Sequence, residues 1–177
     1  MIKPITENLW QFSFSMFGSC VYVLKLNGEN ILIDTSTSTN KQEILDDLKK
    51  LKIKPENINI ILLTHNHFDH IENINLFPNA KVYGDNNDFQ KDHRTKDNIL
   101  DIQKMPIKGL EIIKTPGHTP GSICLYMPRE QILFSGDTLF HKGVGRTDFP
   151  ESSKKDLNQS IEKLEEIQIK TLCPGHI

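Results

Sequence analysis

The sequence has almost no net charge, little cysteine and no long apolar run, and each shortage removes a class of function. Twenty-one basic residues against 23 acidic ones leave a formal charge of −2. That balance gives no general basic field to gather a polyanion, so nucleic acid is a disfavoured partner unless a local basic strip forms. No stretch approaches the ~20 apolar residues of a membrane-crossing helix, and no membrane contact is expected. Met1 to Trp10 include Glu7 and lack an apolar heart, so they do not read as a secretory leader. The cysteines are three, widely spaced and odd in number, which fits a reducing cytoplasm. Cys20 and Cys124 lie in strand-like apolar runs and read as small core residues. Cys173 reads as a buried thiol, with a role near His176 as the alternative. There is no Gly-x-Ser-x-Gly elbow and no glycine-rich phosphate loop, which disfavours covalent serine hydrolysis and nucleotide-dependent chemistry. The 177 residues suffice for one domain with a real core and are short for two, so 1–177 is read as a single domain.

What the sequence does have is concentrated at a few places. Thr64-His65-Asn66-His67-Phe68-Asp69-His70 carries His-x-His-x-Asp-His, four strong metal ligands within six residues. Imidazole and carboxylate suit zinc and other borderline divalent metals. Alternate spacing lets His65 and His67 point the same way from an extended segment, while Asp69 and His70 turn elsewhere. One metal can then take the first pair and a second metal the other. Further ligand types follow downstream: His118 in Thr115-Pro116-Gly117-His118-Thr119-Pro120-Gly121, Asp137 after the apolar run Ile132-Leu133-Phe134, and His176 in Cys173-Pro174-Gly175-His176. Each sits at the end of a predicted strand, where loops on a rigid scaffold carry function. Any one alone is an ordinary turn element; in this order they form a pattern.

The rest of the chain supplies the scaffold. Trp10–Phe14 alternates like a half-buried strand, and Cys20–Leu26 and Asn30–Ile33 flank an Asn27-Gly28 hairpin turn. Thr39 or Asn40 can cap a helix to about Leu51, with Ile44, Leu45, Leu48 and Leu51 on one face. Ile58–Leu63 is apolar but for Asn59 and reads as a fully buried strand. A short helix over Ile71–Phe77, a strand at Ala80–Tyr83, and strands at Leu110–Lys114, Ser122–Tyr126, Gln131–Ser135 and Lys170–Cys173 follow. Lys154–Ile167 reads as an amphipathic helix. Gly84–Met105 is polar and reads as a solvated connection, with His93 and Arg94 as candidates for a substrate-side loop. Many short strands with a few helices predict two packed sheets with helices outside.

Taken together, these motifs resemble those of the metallo-β-lactamase-fold hydrolase superfamily, nearly end to end. The resemblance implies an α+β fold, the αββα four-layer sandwich, with the site at the edge where strand-end loops meet. It implies a first metal on His65, His67 and His118, a second on Asp69, His70 and His176, and Asp137 as the bridge. Asp34, at the end of the second hairpin strand, is implied to orient the ligand loop rather than to bind metal. Two divalent metals follow as cofactors, with zinc the default and iron or manganese able to share such sites. Two metals ~3.5–4 Å apart clamp attacking and departing oxygens, and a water they share deprotonates near neutral pH. Asp69 and Asp137 are the implied catalytic pair, Asp69 steering the hydroxide.

Ser135–Phe140 followed by Gly143-Val144-Gly145-Arg146-Thr147-Asp148-Phe149-Pro150 is similar to glyoxalase II-like thioesterases. Arg146 matches the basic residue that binds the carboxylate end of glutathione there, and a guanidinium fork suits that group. A pairing of Arg146 with Asp148 is the competing reading. His141 is read as a loop residue and not a ligand. Two departures stand out. Glyoxalase II carries a helical domain after its last histidine, whereas the sequence given ends at Ile177; the resemblance thus implies a thioester without fixing glutathione as its thiol. The family's Gly-Gly after Asp-His is here Ile71-Glu72-Asn73, and Glu72 stands either near the site or at a helix start. His176 is expected to be the loosest ligand, because chain ends fray. The expectation is a dinuclear hydrolase of small thioesters. Phosphodiesterase or ribonuclease and lactonase or β-lactamase activities are the enzymatic alternatives, and a metal-stabilised binding module is the non-enzymatic one. A mononuclear-iron persulfide dioxygenase is disfavoured by the full ligand set. The oligomeric state is left open.

Overall fold

In the computed structural model, which describes residues 1–89 and 99–177, thirteen short strands form two main sheets and a small hairpin. His93 and Arg94 lie outside the described residues. The first sheet orders its strands as in the chain: β1 (Ile2–Thr6), β2 (Leu9–Phe12), β3 (Val21–Leu26), β4 (Glu29–Ile33), β5 (Ile60–Leu62), β6 (Lys81–Gly84) and β7 (Ile99–Asp101). The first four pair antiparallel, and β4 to β7 pair parallel. The second sheet runs β13 (Thr171–Pro174), β10 (Ile132–Gly136), β9 (Ile123–Met127), β8 (Glu111–Lys114), with β13 parallel to β10 and the others antiparallel. Leu139–Phe140 and Gly143–Val144, as β11 and β12, form the hairpin.

Alternation along the strands builds three apolar layers. Ile31, Ile33, Ile60 and Leu62 face Leu125, Met127, Ile132 and Phe134 of the other sheet. The intervening Leu32 and Ile61 pack outward on Ile44 and Leu48 of helix α1 (Lys41–Lys50). On the far side Leu133 and Tyr126 meet Leu164 of helix α4 (Lys154–Glu165). The result is the helix–sheet–sheet–helix sandwich anticipated above. β5 is buried on both faces because it lies between two parallel neighbours, which explains its unbroken apolar run.

Several elements differ from expectation for local reasons. Asn40 precedes α1, yet its side chain makes no capping bond. Its amide instead donates to Phe17 O (3.1 Å), Ser36 Oγ (3.0 Å) and Thr37 Oγ1 (3.1 Å), fastening one loop to another. At α4 the cap is made: Ser153 accepts from Asp156 N. The helix expected over Ile71–Phe77 is instead α2 (Phe68–Ile71), which starts inside the histidine motif, followed by a 3-10 turn at Ile74–Leu76. Between them Asn73 commits its amide to the carbonyls of Thr35, Ser36 and Thr37. β7 and helix α3 (Asn86–Phe89) stand in the stretch read as a solvated connection.

Parallel pairing decides where function goes. β4, β5 and β6 all end on one edge of the first sheet, and β10 and β13 end together on the second. A backbone bond from Ile123 N to Thr64 O (2.9 Å) joins the two edges. Loops leaving the carboxyl ends of parallel strands are where ligands bind in open sheets.

Candidate metal centre

Each candidate ligand leaves a strand end at this edge. His65 and His67 follow β5, with α2 carrying Asp69 and His70. His118 follows β8, Asp137 follows β10 and His176 follows β13. Among the described residues, three triads have ligand atoms within 4.8 Å of one another: His65, His67 and His118; His65, His70 and Asp137; and Asp69, His70 and His176. Asp137 stands among them. Its carboxylate lies 3.3 Å from His70 Nε2, 3.5 Å from His118 Nε2 and 3.4 Å from His176 Nε2. His67 Nδ1 and His118 Nε2 are 2.9 Å apart, and Asp69 Oδ2 is 3.2 Å from His176 Nε2. All seven residues proposed as ligands are thus gathered around one space.

At His65, His70 and His118 the other ring nitrogen faces an anchor, which sets the free nitrogen of the imidazole. Asp34 Oδ1 accepts from Thr64 N (2.8 Å), and Oδ2 accepts from Thr64 Oγ1 (2.8 Å) and faces His70 Nδ1 at 2.7 Å. Thr64 Oγ1 also lies 3.1 Å from His65 Nδ1. His118 Nδ1 points at the Arg146 carbonyl, 2.8 Å away, and can donate to it. Asp34 therefore sits behind the candidate ligands, touching both histidine sets through Thr64 and His70. It holds φ of 58°, and Ser36 nearby holds 60°, a left-handed geometry that β-turn glycines usually take. Close approach is also required at Gly175, where an added Cβ would stand 2.2 Å from Asp137 Oδ1.

Three polar atoms test whether this donor set fits a metal. Among the described residues, the buried His65 Nε2, His70 Nε2 and Asp137 Oδ1 make no well-formed hydrogen bond, although the last two face each other as an ion pair at 3.3 Å. Burying an atom such as His65 Nε2 unpaired costs ~1–3 kcal/mol, and all three face the same space. A divalent cation satisfies them together, so the residues fit the group.

Charge divides the site. Burial, with His70 close by, pushes His65 well below the usual imidazole value, and burial likewise lowers His118 despite the Arg146 carbonyl. Burial acts the same way on His70 and His176, but carboxylates outweigh it. Asp34 and Asp137 raise His70 well above its usual value, and Asp137 with Asp69 raises His176 to about 9. Burial opposes ionisation of Asp69 and Asp137, yet the neighbouring imidazoles hold both below the usual carboxylate range.

Arg146 takes the competing arrangement. Its Nε and Nη2 donate to both carboxylate oxygens of Asp148 (2.9 and 2.6 Å), with the side chain 70% exposed. It also lies over Phe149, whose ring packs against His67 and His118. Glu72 accepts from Ser38 N at 2.7 Å, so it secures the 3-10 turn at Ser38–Asn40. The backbone next to His176 is pinned: Gly175 N donates to Gly136 O, Cys20 N to Gly175 O (both 2.7 Å), and Tyr22 Oη to Pro174 O. That holds the last ligand more firmly than fraying alone would suggest. Cys20, Cys124 and Cys173 are free and buried, and Cys173 belongs to the inter-sheet core.

Four site residues were not read from the sequence: Thr64, Asn73, Phe17 and Asp88. Phe17 stacks on His176 (5.8 Å, 17°) and is 66% exposed, with Phe68 beside it. Asp88 is buried and accepts from Thr119 Oγ1 (2.7 Å), Gly121 N (2.6 Å) and Asn66 N (3.2 Å). Its signal was position: it follows β6 closely, an acid beyond a strand end like Asp34 and Asp137.

Comparison with known proteins agrees with this geometry. The model of the metallo-beta-lactamase superfamily matches residues 16–85 and 78–176, and the chain belongs to that superfamily. Within it, the chain is 34% identical to a probable metallo-hydrolase of Methanocaldococcus jannaschii, over 87% of this chain and 92% of the relative. It is also 34% identical to the hydroxyacylglutathione hydrolase of Buchnera aphidicola subsp. Schizaphis graminum, over 88% of this chain but 61% of that enzyme. With the counterpart from Francisella tularensis subsp. novicida the identity is 35%, over 60% of this chain and 43% of that enzyme. The chain therefore spans about half the length of these hydroxyacylglutathione hydrolases. Among solved structures, TTHA1623 in a di-iron-bound form superposes with a TM-score of 0.82 at 25% identity, covering 94% of this chain and 91% of that one. The B3 metallo-beta-lactamase BLEG-1 superposes with a TM-score of 0.78 at 27% identity, over 96% and 91%. No helix among the described residues is long and apolar enough to cross a membrane.

Proposed function

We propose that residues 1–177 form one dinuclear metal-dependent hydrolase unit that cleaves small thioesters. The reading is carried by one observation: the Asp137 carboxylate stands within 3.5 Å of imidazole nitrogens from both ligand halves, His118 on one side and His70 and His176 on the other. His65, His67 and His118 would hold one metal, and Asp69, His70 and His176 the other, with Asp137 shared. When bound, two such ions supply Lewis acidity and a nucleophile at neutral pH without a strong base. Zinc is the expected pair, and iron is a real competitor for His/Asp ligands.

The chain's own residues would divide the work. Asp34 and the Arg146 carbonyl fix the ring orientations before substrate arrives. Asp69, kept ionised beside His176, accepts a hydrogen bond from the attacking water and orients it toward the acyl carbon. Arg146 lies on the His118 side, where it would receive a substrate carboxylate in competition with Asp148. The partner is thus a small thioester, and the thiol need not be glutathione. Three unpaired cysteines favour a reducing, cytoplasmic setting.

S-lactoylglutathione hydrolysis by zinc-loaded protein tests the reading, with Asp69→Asn as control. The expected kcat/KM exceeds about 10⁴ M⁻¹s⁻¹, within the usual enzyme range, and is lost in the variant. No turnover with both metals bound sinks the glyoxalase II-like reading of the substrate. The likeness to BLEG-1 then makes a β-lactam the next substrate to assay.

A further inference from the structure

We propose that Asp88 is a positioning residue that locks the His67 and His118 loops into one cradle and thereby sets metal affinity at the three-histidine half. It rests on the metal-binding reading above. The two loops come from different sheets, after β5 and after β8, and need a fastener between them. Asp88, on α3 beyond β6, provides one. Its Oδ2 accepts from Thr119 Oγ1 at 2.7 Å and from Asn66 N at 3.2 Å, and its Oδ1 accepts from Gly121 N at 2.6 Å. In return the Asn66 amide donates to the Asp88 carbonyl at 2.8 Å. Asn66 sits between His65 and His67, and Thr119 follows His118 directly. Thr119 Oγ1 is also 2.7 Å from Ser122 Oγ, which extends the knot along the His118 turn.

The fastener matters most for His67. His65 is backed by Thr64, and His118 by the Arg146 carbonyl. The outward nitrogen of His67 meets only Glu151 Oε1, at 3.4 Å and partly exposed, among the described partners. Its position therefore depends on the backbone at Asn66, and that backbone is held by Asp88. The arrangement also accounts for Gly121, where an added Cβ would lie 2.6 Å from the Asp88 carboxyl carbon. Among the described residues, no comparable tie runs from Asp88 to Asp69, His70 or His176.

The test separates the halves. Asp88→Ala is made in a His176→Ala background, which leaves the three-histidine half, and in a His118→Ala background, which leaves the other. Co²⁺ titration is followed by visible absorption, and thermal unfolding of the metal-free proteins is measured alongside. The expected result is ~10–100-fold weaker Co²⁺ binding in the first background, the usual cost of losing a residue that orients ligands, and less than about threefold change in the second. Asp88→Asn, which keeps one acceptor oxygen, should fall between. If Asp88→Ala does not fold, Thr119→Val removes one donor and should weaken only the first background. Equal weakening in both backgrounds, or unchanged Co²⁺ affinity with a lower unfolding temperature, would overturn the proposal and leave Asp88 a plain packing residue. Absence of Co²⁺ binding by the unsubstituted protein would overturn the metal reading itself, a separate result.

Discussion

The two halves of the centre are built on different plans. The half made by His65, His67 and His118 consists of imidazoles, of which burial keeps His65 and His118 neutral, strapped from behind by Thr64, Asp88 and a backbone carbonyl. The half made by Asp69, His70 and His176 is an ion cluster: two raised histidines among lowered carboxylates, one ligand deep inside and one at the rim under Phe17. In the first, His65 and His118 are already in the metal-binding protonation state at neutral pH. The second is held together, without metal, by its own charges. A cation entering the first displaces no proton from His65 or His118; one entering the second must expel protons from His70 and His176.

Substitutions and pH should expose that asymmetry. The largest effect is expected at the shared residue. Asp137→Asn should lower kcat/KM about 10³-fold, roughly 4 kcal/mol of barrier, and should reduce bound metal below two per chain by elemental analysis. Retention of two metals with normal turnover would break the bridging role. Next, Asp34→Asn should weaken metal at both halves by ~10–100-fold, because Asp34 reaches His65 through Thr64 and His70 directly. A loss confined to one half, seen by calorimetric titration, would show that one of these two routes carries nothing.

The pH response is smaller and more diagnostic. Since His176 is raised to about 9 without metal, affinity at its half should rise about tenfold from pH 7 to 8 and less steeply from there to 9. The three-histidine half should stay flat there, its His65 and His118 being depressed. The sign for stability is opposite: with its value raised above the unfolded one, His176 stabilises the metal-free fold fully below about pH 6.5, and that contribution disappears as pH climbs through about 9. Equal pH slopes for the two metals would erase the contrast. The smallest effect belongs to the rim. Phe17→Ala removes one aromatic contact, worth about 1 kcal/mol, and should speed metal release from the His176 half about fivefold in a chelator-competition assay, with little change at the other.

Much of this centre was legible because ligands sit in short motifs at strand ends. His65, His67, Asp69, His70, His118, Asp137 and His176 could each be named from spacing and turn context, and alternation in β4 and β10 exposed the sandwich. What could not be read is contact across distance. Asp88 belongs to a run of polar residues that looks solvated until the fold buries it between two loops. Asn40 carries a capping residue's identity, but spends its amide on the Phe17 loop. The helix expected at Ile71–Phe77 is divided because Asn73 reaches back to Thr35–Thr37. Arg146 offered two partners of equal chemical merit, and proximity decided for Asp148.

β13 pairs parallel with β10, and α4 makes the connection between them. A parallel pair cannot close as a hairpin; it waits for a long stretch of chain to be folded across the sheet. His67 and His118 precede that stretch, and His176 follows it. As the chain is synthesised N-terminus first, the three-histidine cradle has all its residues well before His176 exists. On the two-metal reading proposed above, occupancy of the second position would then report completed folding. A chain cut off within α4 would keep His65, His67 and His118 but lack His176, and counting metals would tell it apart from its finished sibling.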